Sequence, residues 1–272
     1  MGIGQFNHGF RTPSSIFYLN SLFYLPLLKY YLFNFSAIYI LGFANIIFLK
    51  KIHNFFIFYN FKKNLNNKIN YLTFLNLFLF AFVNIFFYRI GEHGTDRSAQ
   101  ILICILVVLI LEYFYFLNFK KIDLMFIYIL LGLIISLKAF YILYLIILLP
   151  LFIFILEKKK NFFLSLQYFI KNKNFIIFLL MLFFVIGTYF INTGCLIYPL
   201  SITCFDNFSW ALQASEAQRM NNWYELWSKA GANPNFRVSN PEEYITNFNW
   251  VSNWIDSYFF NKVSDFIFGL LF

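Results

Sequence analysis

Residues 101–111 read ILICILVVLIL, eleven apolar side chains in succession, and comparable runs recur along most of the chain. A helix needs about 18–20 predominantly apolar residues to cross the hydrocarbon core of a bilayer. Runs that approach or reach this length lie near 30–49, 70–88, 99–118, 123–137, 139–156 and 174–192. The fourth is short and meets the fifth at Lys138 in a tight hairpin. So much unbroken apolar sequence does not suit a water-soluble globule, and the mean hydropathy of +0.67 points the same way. The expected fold class is all-α: a polytopic helical membrane protein with about six complete transmembrane spans and an extracytoplasmic helical segment.

The 42 Phe residues carry no functional weight, because Phe, Ile, Lys, Asn and Tyr are over-used together, as AT-rich coding produces. The net charge of +9 is distributed in short lysine clusters between apolar runs: LKKIH, FKKNLNNK, FKKID and EKKKN. That is the pattern of cytoplasmic loops under the positive-inside rule, not of a nucleic-acid surface. The loops at 50–69, 119–123 and 157–173 hold 12 Lys against Asp123 and Glu157, whereas the other segments outside the spans balance nine basic with nine acidic residues. The first set is therefore assigned to the cytoplasm, which puts EHGTDR and the chain after residue 193 outside. No glycine-rich phosphate loop, zinc spacing or nucleotide fingerprint occurs. The opening MGIGQFNHGF has neither the basic start of a signal peptide nor, with Phe6, the myristoylation pattern.

Polar residues within the runs are few. Glu112 reads as a carboxylate that snorkels or pairs with a lysine near the cytoplasmic end, with a buried proton relay as the alternative. Thr73, Asn76 and Asn84 share a stripe suited to interhelical hydrogen bonds. Ahead of the first run, TPSSIFYLNSLFYLP ends at Pro26 and reads as an interfacial or re-entrant helix. NFFLSLQYFI reads as a helix on the basic side.

Three regions follow: 1–192, a partial transmembrane bundle; 193–260, an extracytoplasmic region with two amphipathic helices; and 261–272, the opening of a further span. All five Trp fall in the second region. One helix there is expected to stop at Gly231, with Leu212, Met220, Trp223 and Trp227 on one face. The other should start with Asn240 as cap, Pro241 in the first turn and Glu242 and Glu243 facing the helix dipole. The Trp side chains suit interfacial anchoring, with sugar stacking as the alternative. Cys104 lies in a span. Cys195 and Cys204 flank LIYPLSIT in what would be an oxidising compartment, where they are expected to form a disulfide, two free thiols being the alternative. The chain reads as the middle of a larger protein.

GIGQFNHGFRTPSSIFYLNSLF, EHGTDRSAQILI and TGCLIYPLSITCF resemble stretches of a bacterial family of large polytopic membrane proteins grouped by architecture with the GT-C glycosyltransferases. The resemblance implies a multi-pass protein of the bacterial cytoplasmic membrane, with 193–260 outside, membrane lipid as a partner and a polyprenyl-phosphate-linked sugar as donor. It also implies a fragment that starts after the first external loop, where that architecture carries its catalytic acid. Sugar transfer needs a carboxylate to take the acceptor proton and cations to hold a lipid phosphate. RIGEHGTDR supplies Glu92 and Asp96 as candidate catalytic acids, and Arg89, His93 and Arg97 as candidate phosphate ligands. Gly91 and Gly94 would admit a ligand close to the backbone. The competing reading makes Thr95 or Asp96 the cap of the third span and Arg89 an interfacial anchor. No cofactor is implied, and one His with two acids on a loop falls short of a metal site. A noncatalytic assembly subunit remains an alternative. So does a lipid-linked sugar flippase or polymerase, which should carry more intramembrane charge than Glu112 alone.

Overall fold

The computed structural model describes residues 1–12, 14–32, 34–61, 67–87, 95–115, 121–171, 173–233 and 236–264. They divide into a bundle unit, Pro13–Ile186, and a terminal unit made of Met1–Thr12 together with Gly187–Phe272. The first twelve residues, grouped by sequence with the transmembrane bundle, thus fold with the region that follows the last apolar run.

The regular elements among the described residues are helices, apart from one two-residue antiparallel pairing, Ala232–Asn233 with Phe236–Arg237. The helices are α1 (Ser15–Ser21), α2 (Phe35–Phe61), α3 (Asn67–Phe86), α4 (Thr95–Tyr115), α5 (Lys121–Leu137), α6 (Leu148–Lys159), α7 (Phe162–Ile170), α8 (Lys173–Thr193), α9 (Ala214–Ser228), α10 (Pro241–Ile245) and α11 (Val251–Trp254). A 3-10 helix, Ala139–Ile147, runs directly into α6. Pro150 lies in the first turn of α6; it cannot donate to the carbonyl four residues back and its ring crowds that carbonyl. The tighter winding of the preceding residues accommodates this. A π-helix, Ile255–Val263, extends α11.

Four helical windows are long and apolar enough to cross a membrane: Phe35–Asn54, Asp96–Tyr115, Phe140–Lys159 and Lys173–Thr193. Tyr71–Phe86 and Leu124–Leu137 are apolar but shorter. The chain is therefore helical, with several segments of the length and composition found in multi-pass membrane proteins. The first run starts later and ends later than its apolar stretch suggests, since α2 opens at Phe35 and carries Lys50, Lys51 and His53 within a continuing helix.

The core of the bundle unit is built around α4, which packs on α2, α3 and α5. Its buried positions Ala99, Leu102, Ile105 and Leu106 recur at the i, i+3, i+4 spacing of one helix face. They meet Ile127, Tyr128, Leu131, Ile134 and Ile135 of α5 and Ala44 and Phe48 of α2 within the same cluster. Tyr128 donates from its hydroxyl to the Phe169 carbonyl at 3.1 Å, satisfying the one polar atom this ring brings into the core. Asn45 of α2 and Asn84 of α3 exchange amide hydrogen bonds at 3.0 and 2.8 Å. Asn76 turns back to its own helix, donating to the Leu72 carbonyl.

Two ion pairs tie α4 to its neighbours. Near one end, Lys51 of α2 pairs with Glu112. Near the other, Asp96 meets Lys138 at the α5–α6 hairpin. The hairpin is also held by the start of α1, where the Ser14 hydroxyl donates to the Leu137 carbonyl and the Ser15 and Ser136 hydroxyls lie 2.9 Å apart.

Candidate functional site

Of the acids and cations picked out in RIGEHGTDR, Arg89, Glu92 and His93 lie outside the described residues, as do Gly91 and Gly94. Asp96 and Arg97 are described, in the first turn of α4. Because Thr95 is already helical, Asp96 sits inside the helix and does not cap it. Its carboxylate lies 2.5 Å from the Lys138 ammonium, and both side chains remain more than 40% exposed, at 44% and 42%. Asp96 thus faces a favourable helix dipole and fixes the hairpin lysine. Among the described residues no group of three or more His, Cys, Asp or Glu could hold a metal ion.

A denser polar cluster lies in the terminal unit. The chain enters it through Gly2, which donates to the Ile191 carbonyl at the end of α8, 2.8 Å away. Gly2 has φ +77, and a Cβ there would stand 2.6 Å from the Trp210 carbonyl oxygen, so no larger residue fits this approach. A short 3-10 turn, Ile3–Gln5, then brings the Gly4 carbonyl to Arg11. The Gln5 amide donates to the Ala211 carbonyl at 3.0 Å.

Arg11 is 10% exposed, and its guanidinium joins three segments. Nε donates to the Gly4 carbonyl at 2.9 Å. Nη1 donates to Glu216 Oε1 at 2.8 Å and to the Tyr198 hydroxyl at 3.4 Å. Glu216 stands in the first turn of α9, where a carboxylate also favours the helix dipole. Its two oxygens accept from Nε and Nη2 of Arg219, one turn along, at 2.8 and 2.9 Å. Hydrogen bonds from Arg219 and then from Arg11 pull the Glu216 pKa down to about 2. Burial works against the charge on Arg11, but its bonds to Glu216 and Tyr198 outweigh that cost and raise its pKa. Burial pushes the Tyr198 phenol up, opposed by the neighbouring Arg11.

Tyr198 is presented by a covalently closed loop. Cys195 and Cys204 are bonded at 2.06 Å, and the backbone between them is cross-braced by Leu196 N to the Thr203 carbonyl at 3.0 Å. The Thr203 hydroxyl sits across the ring, accepting from Ile197 N and donating toward the Ile197 and Leu200 carbonyls. The Tyr198–Pro199 peptide is cis.

The cluster forms one wall of a cavity of about 490 Å³. Gln5, Asn7 and the two guanidiniums supply polar groups; Phe6, Met220 and Trp223 supply apolar ones. Two arginines against one glutamate leave the lining with a net positive charge. A cleft of this size with a few convergent polar groups beside an aromatic face is the usual form of a small-molecule site. The arrangement suits an anionic, partly apolar or ring-bearing ligand, with the outward N–H groups of Arg219 left over from its Glu216 pairing for the anion and the Trp223 ring for stacking. It does not suit general-base chemistry at Glu216, whose proton affinity the two arginines suppress.

Sequence reading singled out Trp223, Met220 and the two cysteines but gave no role to Arg11, Tyr198, Glu216 or Arg219. One signal was present. The chain has 16 Lys and five Arg, so an arginine kept amid lysines marks a place where the planar fork matters. Two of the five meet on one carboxylate.

The architecture is that of a helical protein with several helices of membrane-crossing length and a separate, aromatic-rich terminal unit. The chain belongs to the family described as a domain of unknown function, DUF8201, whose model matches residues 1–272. No curated protein and no solved structure matches the chain.

Proposed function

We propose that the chain is a six-span membrane protein of the bacterial cytoplasmic membrane. In this reading the terminal unit lies at the outer face, and the protein serves in the transfer of sugars from polyprenyl-phosphate-linked donors. The observation that carries the reading is the cleft of the terminal unit, which pairs the Arg11–Arg219 cations with an exposed Trp223 ring. A phosphorylated saccharide needs both features: a guanidinium for its phosphate and an aromatic face for its ring. The lysine clusters of the 50–69, 119–123 and 157–173 loops support the orientation. In this reading acceptor deprotonation falls to Glu92 or Asp96, with Arg89, His93 and Arg97 at the lipid phosphate, since Glu216 is too weak a base.

Noncatalytic assembly is the second reading, and one observation favours it. The described carboxylates nearest the candidate sites are each engaged by a cation: Asp96 by Lys138, and Glu216 by Arg11 and Arg219.

The test is titration of the reconstituted chain with a short-chain polyprenyl phosphate sugar, read by tryptophan emission. Saturable binding should weaken roughly tenfold or more in Arg219→Gln, the loss expected for a hydrogen bond to a charged group. It should weaken again in Trp223→Ala. The absence of saturable binding would remove the cleft from the reading. Binding together with an unchanged glycolipid profile in cells carrying Asp96→Asn would favour the noncatalytic reading.

A further inference from the structure

A second cavity, of about 290 Å³, lies in the bundle unit where α1 turns toward α2, lined by Asn20, Ser21, Phe23, Tyr24, Lys29 and Tyr30. Asn20 is only 5% exposed, and its Oδ1 has no hydrogen-bond donor among the described residues. That oxygen is itself sealed from the cavity, so the charge the cavity offers a ligand is that of Lys29. Lys29 is held in a left-handed conformation, φ 47, with its backbone N–H bonded to the Leu25 carbonyl at 2.6 Å. Its ammonium faces no carboxylate among the described residues. The Tyr24 and Tyr30 rings close one side of the turn, 5.0 Å apart. Around it stand Leu27 and Tyr31, at 95% and 90% exposure, with Leu25 and Leu28 also exposed. The apolar window of α2 opens four residues after Tyr31.

We infer that this cavity binds the phosphate of an anionic phospholipid. The Lys29 ammonium pairs with that phosphate. Leu27, Leu28 and Tyr31 lie along the first part of the acyl chains. A soluble phosphate would satisfy Lys29 equally well but would leave this apolar collar in water, which selects the lipid as the source. The inference rests on the membrane placement proposed above and is independent of sugar transfer.

The experiment uses the full chain, delipidated in detergent and reconstituted, with flotation of the vesicles as a control for insertion. Native mass spectrometry then compares retention of phosphatidylglycerol, phosphatidic acid and phosphatidylcholine with identical acyl chains. Phosphatidylglycerol should be retained over phosphatidylcholine by about fivefold, the factor one basic side chain contributes at an anionic surface. Lys29→Asn, which removes the charge while tolerating the left-handed backbone, should bring that ratio close to one. Phosphatidic acid should likewise be retained by the native chain ahead of phosphatidylcholine. Equal retention of all three lipids by the native chain, or a ratio unmoved by Lys29→Asn, overturns the inference. Displacement by glycerol 1-phosphate in solution also overturns it, by assigning the cavity to a free phosphate. A chain that does not float overturns the membrane placement as well, whereas one that floats without selectivity overturns this inference alone.

Discussion

At the residue scale the terminal unit closes on Arg11. Its guanidinium touches the segment 1–12, the disulfide loop and α9 at once, through Gly4, Tyr198 and Glu216. Lysine has one point charge and could not meet three such directions with comparable geometry. Glu216→Gln keeps the shape and removes the charge. It should lower the stability of the terminal unit by about 1–3 kcal/mol at neutral pH, the cost of a lost charge-assisted hydrogen bond at a buried partner. The pH dependence has a defined sign. The folded pKa of Glu216, about 2, lies below the ordinary carboxylate value. Its stabilisation is therefore complete above about pH 4.3 and is lost as pH falls toward the folded value. All five Trp belong to the terminal unit, so tryptophan emission follows its unfolding. Denaturant midpoints measured from pH 7 down to 2 should fall steeply for the native chain and less for Glu216→Gln. Parallel acid limbs for the two proteins would show that another group governs the transition. The pairing itself was not legible in the sequence, because Arg11 and Glu216 are separated by some two hundred positions; only the scarcity of arginine among the lysines hinted at either arginine's role. By contrast, the disulfide partners are close in sequence and bracket a proline-containing loop, so their spacing was informative.

At the scale of elements, the helix starts were easier to read than the helix ends. Asn240 caps α10 by accepting from the Glu243 N–H, and Pro241 opens its first turn, because capping is written into neighbouring residues. The single amphipathic helix expected from that start is instead broken. Asn247 and Phe248 take positive φ values of 51 and 63, and the chain restarts at α11. No glycine or proline marks that break. The end of α9 shows a different gap between pattern and structure. Gly231 was the obvious stop, yet the left-handed residue is Ala230, with φ 65. Ala230 N bonds the Trp227 carbonyl and Gly231 N bonds the Leu226 carbonyl, the two bonds of a Schellman ending. Glycine is required at 231 for space: a Cβ would lie 2.6 Å from Leu226 Cδ1 and 2.7 Å from Tyr244 Cε1. Tyr244 in turn donates to the Lys229 carbonyl at 2.8 Å and accepts from Asn253, so its ring cannot swing aside freely. Gly231→Ala should therefore destabilise the terminal unit by about 1–3 kcal/mol, as overpacking does. A change below 0.5 kcal/mol in the same emission assay, on the order of a neutral surface substitution, would mean that the Tyr244 contact yields without cost.

At the scale of the whole molecule, apolar run length conveyed the helical class but not how each run is wound. Span counting from hydropathy assumes regular α-helix, and the fifth run is part 3-10 helix, over Ala139–Ile147 ahead of Pro150. The proposed orientation predicts that Glu157 and Asn222 lie on opposite sides of the membrane. Both are exposed and lie in described helices. Single cysteines placed there in a Cys104→Ser background, with the Cys195–Cys204 bond left oxidised, should react with an impermeant maleimide from opposite faces of sealed vesicles. Reaction of both from one face would refute the six-span arrangement. The partition of the chain also has a consequence for its biogenesis. Residues 1–12 are translated before the bundle, yet the hydrogen bonds that tie them to Ile191, Tyr198, Ala211 and Glu216 are made to residues translated after it. At ordinary translation speeds of about 5–20 residues per second, the roughly 175 intervening residues impose a wait on the order of 10–35 s. During that interval Arg11 has neither Glu216 nor Tyr198, and a buried cation has nowhere to go. The segment is thus a late clasp, made before the bundle and placed only after it.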